Sequence, residues 1–381
     1  MSADIENKGI DTTEITIEKL VAGGEGLGFL GGKAVFVPGT LPGEKVRVRL
    51  TQIRRDFDRA SLHSVLVPSP ARQEPPCALA GICGGCDWLH VRYEEQLAQK
   101  VSIVREAFRR VGRFDWKEIS VHAGPPLGYR NRVQMHRDGA GRLGFMGAGS
   151  RRVVPVEICP VSDRAINRVF DSPVLAPADR DRFTVWGCAD TTAVQGMDRD
   201  GEVAVRVLEK EIVFSVDCFF QSNLSLVSQL VPFVMSGLSG ESAADLYCGV
   251  GLFGAFLADR FARVTAVESS SVSLSYARRN ISGPEHDFYP VSVEQWIESG
   301  AARRRLDAVV VDPPRSGLGP EVRRWLTQAM PGRLIYVSCN PVTLARDLGE
   351  LLRSGLTLEE VGLFDFFPQT SHVETAARLR L

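Results

Sequence analysis

The chain has 381 residues, with 45 Lys and Arg against 46 Asp and Glu and a formal net charge of −1. That length accommodates two or three domains with a substantial core, and the balance excludes a nucleic-acid binder that works by bulk charge. No apolar run approaches the ~20 residues of a membrane span, Met1 to Thr13 is polar without a signal-peptide pattern, and a cytoplasmic monomer is expected.

Charge is uneven along the chain. Arg92 to Arg152 holds 13 Lys and Arg against 6 Asp and Glu, whereas Val231 to Leu381 holds 15 against 17. A basic middle on a neutral whole fits a local contact with phosphates as well as it fits a solvated face.

Residues 12–68 read as short strands. Val46, Val48 and Leu50 alternate with Arg47 and Arg49, and Gly23-Gly24-Glu25-Gly26 and Pro42-Gly43 supply turns. Several strands in some fifty residues predict a small OB-type β-barrel. Residues 69–224 form a second region. Pro68, Pro70, Pro75 and Pro76 lead into its first cysteines, the spacing of Leu97, Val101, Val104 and Phe108 predicts a helix over 93–111, and residues 128–220 are strand-rich. From 225 to 381 the pattern becomes alternating strand and helix, with strands expected at 242–247, 263–268, 306–311 and 333–338. This is an α/β pattern, a doubly wound parallel sheet of Rossmann type. Ligands of such sheets sit at the carboxyl ends of strands, where Asp245, Glu268, Asp312 and Cys339 all fall.

Six motifs carry chemistry. Cys77, Cys83 and Cys86 lie within ten residues, bent by Gly84-Gly85, and a distant Cys159 can complete four thiolates. Such a set suits zinc or an iron–sulfur cluster, and unligated buried thiols are the plain alternative. Asp245-Leu246-Tyr247-Cys248-Gly249-Val250-Gly251 is a glycine turn between a strand and a helix, and Glu268 follows 19 residues after Gly249, where a carboxylate holds ribose hydroxyls. This pair fits a dinucleotide or S-adenosylmethionine. Asp312-Pro313-Pro314-Arg315-Ser316-Gly317 fixes a carboxylate at a strand end. Cys339, in Ser338-Cys339-Asn340-Pro341, stands between a strand end and a helix N-terminus, a favourable field for a thiolate nucleophile. Cys188, Cys218 and Cys248 read as packing residues. His372 and Glu374 share one face of a terminal strand, and Glu374 is a candidate general base, with a solvated edge residue as the alternative. Phe219-Phe220-Gln221 can stack on and read an extruded base, or simply end a strand.

These motifs, in their order along the chain and over residues 14–379, resemble the RNA uracil-C5 methyltransferase family, especially its bacterial 23S rRNA members. The resemblance implies a TRAM barrel at 12–68, a central region with a [4Fe–4S] cluster on Cys77, Cys83, Cys86 and Cys159, and a catalytic domain at 225–381. It implies Cys339 as nucleophile, Glu374 as base, and Gln221, Tyr247, Glu268 and Asp312 as contacts to S-adenosylmethionine. Leu252 replaces the asparagine the family often carries after the glycine turn. The expected substrate is 23S rRNA, with tRNA next, and Arg130, Arg132 and Arg137 are candidate RNA contacts. An inactive RNA-binding protein and a cytosine-C5 methyltransferase are the competing classes.

Overall fold

The computed structural model describes residues 12–172, 175–197, 201–283, 285–303 and 305–381. Most of the polar start, residues 1–11, lies outside them. The chain divides into two compact units, and no helix among the described residues is long and apolar enough to cross a membrane.

The first unit takes the chain up to Gly81, with Cys86–Gln99 and Gln369–Ser371. Strands Thr13–Leu20, Gly26–Leu30, Lys33–Val37, Lys45–Ile53 and Phe57–Val67 close into a barrel, sealed where the first strand pairs with the fourth, Ile15 opposite Val46. Alternation decides what fills it. Ile15, Ile17, Val35, Val37, Val46, Val48 and Ala60 point inward and are buried, while Arg47 and Arg49 stay outside. The fully buried carboxylate of Glu44 takes two bonds from Arg72, at 2.6 and 2.8 Å, which tie the segment after the barrel to its wall.

The second unit contains an eight-stranded sheet. Its parallel core runs, in spatial order, Asp287–Tyr289, Phe261–Val267, Gly240–Leu246, Ala308–Val311 and Arg333–Ser338. Ala308–Val311 is buried throughout, as a central parallel strand covered on both faces must be. Each such buried valine stabilises the fold by roughly 1.5–3 kcal/mol relative to an exposed one. The chain departs from Gly240–Leu246 in one direction and returns on its other side at Ala308–Val311, which places a topological switch point between these two strands.

Beyond Arg333–Ser338 the sheet changes sense. Glu374–Arg380 runs antiparallel to it with Ser338 opposite Thr375, followed by Thr357–Phe364 and an edge strand, Ser120–His122. This reversal brings the start of the last strand to the same edge as the end of the Cys339 strand. The four parallel strands expected from the sequence lie within two residues of their observed limits.

The helix expected at 93–111 is α-helical over Tyr93–Ala107 and ends in a π turn, Phe108–Gly112. The wider turn seats Gly112 against the helix Pro341–Arg353, where a Cβ on Gly112 would stand 2.7 Å from the Ala345 carbonyl. A five-stranded sheet, which includes Arg132–Arg137 and Arg182–Cys188, and a hairpin of Glu202–Val207 with Lys210–Ser215 complete the unit.

Candidate active site

A cleft of about 710 Å³ opens at the carboxyl ends of the central strands. Its walls include Gln221, Tyr247, Glu268, Asp312, Cys339 and Glu374, so every expected catalytic and cofactor residue reaches one space.

The glycine turn forms one wall. Tyr247 (φ +61°), Gly249 (φ +55°) and Gly251 (φ +83°) adopt left-handed backbone and reverse the chain within five residues. Gly251 and Gly254 are packing positions: a Cβ on Gly254 would come 2.4 Å from Ile281 Cδ1. Gly249 differs, because a Cβ there would meet nothing within 4 Å. The Glu268 carboxylate accepts from the Gly249 amide at 3.1 Å and the Ser270 amide at 2.7 Å. Both oxygens are thus fixed and keep further lone pairs for hydroxyl donors. Asp245 is fully buried. One oxygen accepts from the Gly254 amide at 2.7 Å and the other has no partner among the described residues. Burial, aided by the Asp312 and Glu268 charges, pushes its carboxyl up to about 8. Leu252 is buried and lines the cleft, so it offers an apolar wall there.

The opposite wall carries Cys339 and Glu374. Ser338 pairs with Thr375, so the next residues outward on the two strands, Cys339 and Glu374, stand across from each other. Asn340 caps the helix Pro341–Arg353 by accepting from the Val342 amide at 3.0 Å, and its amide donates to the Arg315 carbonyl at 3.0 Å. The sequence predicts a field that favours the Cys339 thiolate, but burial outweighs it. Burial, then the Glu374 and Asp312 charges, push the thiol up to about 11, with Arg315 opposing them. Glu374 is buried, and its carboxyl is held well above the ordinary range by burial and then by Asp312. Burial also pushes Asp312 up to about 7. Three acidic groups share a poorly hydrated space, so they do not all ionise together.

Gln221 is buried at the cleft wall, and Phe220 stacks on Phe214 in the core with ring centres 4.3 Å apart. Phe219 is 65% exposed, with the Arg132 guanidinium 5.8 Å from its ring centre. Arg137 donates to the carbonyls of Gly141 and Pro177, which gives it a role in loop structure. The sequence reading gave no role to Arg315 or Phe367, which also line the cleft. Arg315 stood inside a quoted motif, whereas Phe367 lies in a loop without periodicity and gave no signal.

The expected metal site fares differently. Cys77 and Cys86 belong to the first unit and Cys83 and Cys159 to the second, and all four are half-buried. Their thiols are chemically suited to iron or zinc. Among the described residues, however, no three His, Cys, Asp or Glu side chains form a set able to hold a metal ion. The four-cysteine ligand set read from the spacing is therefore not assembled in either unit, and no step of the chemistry is derived through it.

Comparison with known proteins gives the wider relationship. A family model described as tRNA (Uracil-5-)-methyltransferase matches residues 301–380, a TRAM domain model matches 10–63, and a methyltransferase small domain model matches 204–330. An uncharacterized RNA methyltransferase of Bdellovibrio bacteriovorus is 32% identical over 381 residues, covering 97% of this chain and 95% of the relative. One from Aquifex aeolicus is 32% identical over 422 residues, covering 97% and 98%. The crystal structure of Pyrococcus abyssi tRNA (uracil-54, C5)-methyltransferase in complex with S-adenosyl-L-homocysteine shares the fold, with a TM-score of 0.74 at 24% identity over 96% of this chain and 100% of that one. With a TRAM region at one end, a uracil-5-methyltransferase region at the other and relatives that match along nearly its whole length, the chain belongs to the RNA methyltransferase family.

Proposed function

We propose that the protein methylates C5 of a uridine in 23S rRNA, with S-adenosylmethionine as donor, through a covalent bond between Cys339 and C6 of the base. The observation that carries this reading is that Cys339 and Glu374, each one residue outward from the Ser338–Thr375 pair of two antiparallel strands, line the cleft that also holds the glycine turn. A nucleophile and a base on opposite sides of one small space is what substitution at a carbon of low nucleophilicity needs.

The residues present fit the donor. Glu268 keeps lone pairs for ribose hydroxyls, the open space at Gly249 admits a ligand against the backbone, and Gln221, Tyr247 and Asp312 line the same wall. When bound, S-adenosylmethionine supplies an electrophilic methyl group. The protein's own residues do the rest. The Cys339 thiol gives its proton to solvent and the thiolate adds to C6; the electron pair moves to C5, which becomes enolate-like and takes the methyl group, while the electron pair of the broken sulfur–methyl bond stays on the departing thioether sulfur. Glu374 then removes the C5 proton, the C5–C6 double bond re-forms, and the thiolate leaves. Residues 12–68 serve RNA binding, 69–224 form the central region and 225–381 the catalytic domain. A uridine in folded RNA must be extruded to present C6, and Phe219, exposed at the cleft and backed by Arg132, is suited to stack on a base.

We also infer from the Cys77, Cys83, Cys86 and Cys159 spacing a [4Fe–4S] cluster with a structural role; iron and acid-labile sulfide in anaerobically purified protein support it, and their absence removes it. The functional test is transfer of labelled methyl to unmodified 23S rRNA and to tRNA in parallel, with nucleoside analysis. Label as 5-methyluridine in rRNA alone supports the full reading, and label in tRNA alone keeps the chemistry and overturns the substrate. Label in neither, from protein that binds RNA, favours a binding protein.

A further inference from the structure

Asp347 is fully buried on the helix that starts beside Cys339, yet it takes no part in the chemistry above. One of its oxygens accepts from the Tyr336 hydroxyl at 2.7 Å and the Leu318 amide at 2.9 Å. The other accepts from Arg346 Nε at 2.7 Å. Arg323 also approaches it, at 3.5 Å. Tyr336 lies on the strand that ends at Cys339, and Leu318 closes the turn that begins at Asp312.

The bonds continue along one face of the helix. Asn340 and Thr343 donate to the Arg315 carbonyl at 3.0 and 3.4 Å, and Arg346 donates to the carbonyls of Ser316 and Leu318 at 3.1 and 3.3 Å. Residues 340, 343 and 347 recur at the three- and four-residue spacing of a single helix face. The turn fits against that face without spare room: Gly317 has φ +74°, and a Cβ on it would stand 2.7 Å from an Asp347 oxygen.

We propose that Asp347 is a positioning residue for the reaction proposed above, which fixes the Asp312–Leu318 turn, and with it Asp312 and Arg315, against Cys339. A buried carboxylate with four donors around it is a rigid joint, because loss of its charge removes the carboxylate partner of Arg346 and leaves Arg323 with Glu350, at 2.6 Å, alone. The strand of the nucleophile, the helix after it and the turn with the two charged neighbours then hold one geometry.

The test uses the Asp347→Asn variant of the full chain, with Tyr336→Phe as the milder companion should the first not fold. Cysteines are alkylated with iodoacetamide at pH 8 and read by mass spectrometry. This requires neither RNA nor methyl donor, so its outcome is separate from that of the proposed chemistry. A loosened turn hydrates the thiol and moves Asp312 away, so alkylation of Cys339 rises about tenfold in Asp347→Asn and severalfold in Tyr336→Phe. Buried Cys218 and Cys248 stay protected. In the methyl-transfer assay, kcat falls and KM for S-adenosylmethionine rises, because Asp312 lines the wall proposed to hold the donor. Cys339 alkylation within twofold of the parent in both variants, or Cys218 and Cys248 labelled in step with it, overturns the inference, since the first shows no coupling and the second shows general loosening.

Discussion

Replacement of Glu374 by Gln separates the two halves of the proposed reaction. The backbone at 374 is held by pairing with Phe364, and glutamine has nearly the same shape, so the variant keeps the side chain at the cleft wall. What changes is charge and basicity. Glu374 is the largest charge effect that raises the Cys339 thiol, second only to burial. Its neutralisation makes the thiolate easier to form, and addition to C6 should not slow. Proton removal from C5 then has no base. Loss of a positioned general base slows a step by roughly 10²- to 10⁴-fold, about 3 to 5 kcal/mol of barrier. Fast formation with slow resolution accumulates a protein–RNA adduct, visible as a shifted band on a denaturing gel and lost in Cys339→Ala. Turnover of Glu374→Gln within twofold of the parent, without adduct, refutes the assignment of Glu374 as base. Slow turnover without adduct places its role before addition.

Other expectations follow from single positions. Cys339→Ala should abolish methyl transfer while RNA affinity stays within about threefold of the parent, measured by filter binding; residual turnover contradicts the covalent route. Asp245 has a folded-state pKa of about 8 against an ordinary 3.8, so the stability associated with its protonated form is complete below pH 4 and lost as pH rises to 8. Asp245→Asn should therefore gain Tm relative to the parent as pH goes from 5 to 8, and a difference flat in pH contradicts this. Gly317→Ala should destabilise by about 1–3 kcal/mol through its left-handed φ and its contact with Asp347, measured by urea unfolding. Phe219→Ala should raise KM for RNA about tenfold with little change for S-adenosylmethionine, as expected for loss of one base–aromatic stack worth about 1–3 kcal/mol.

Much of the fold was legible because it rests on local pattern. Val46, Val48, Arg47 and Arg49 mark a half-buried strand by alternation, and the short apolar run Ala308–Val311, stopped by Pro313-Pro314, reads as a covered strand. The cleft was legible for a related reason. In a parallel sheet the carboxyl ends lie on one edge, so Asp245, Glu268, Asp312 and Cys339 meet once the strands are named. Glu374 is different. Its strand enters between two others in the opposite sense, and sequence does not reveal where a strand inserts. Its place at the site came from resemblance. The network through Asp347 was equally hidden, since Tyr336, Leu318 and Arg346 carry no motif that announces a shared partner.

The poise of Cys339 is set by burial and by its charged neighbours more than by its place at a helix start. A helix N-terminus favours a thiolate by about 0.3–1 kcal/mol at the surface, and the sequence reading counted that field in favour of Cys339. Burial costs more: the thiol is pushed up to about 11 even with Arg315 opposing the shift. The neighbours are not fixed charges, however. Asp312 and Glu374 are themselves held toward their protonated forms by burial and by each other. When either is neutral, part of its pressure on Cys339 is gone. The three groups therefore compete for protons, and a change in charge on one alters the other two. It follows that single substitutions at Asp312 or Glu374 should change the alkylation of Cys339 in the same direction, upward, although the two carboxylates come from different strands. A downward change with Asp312→Asn would mean that this carboxylate assists the thiolate, and the competition would have to be replaced by a relay.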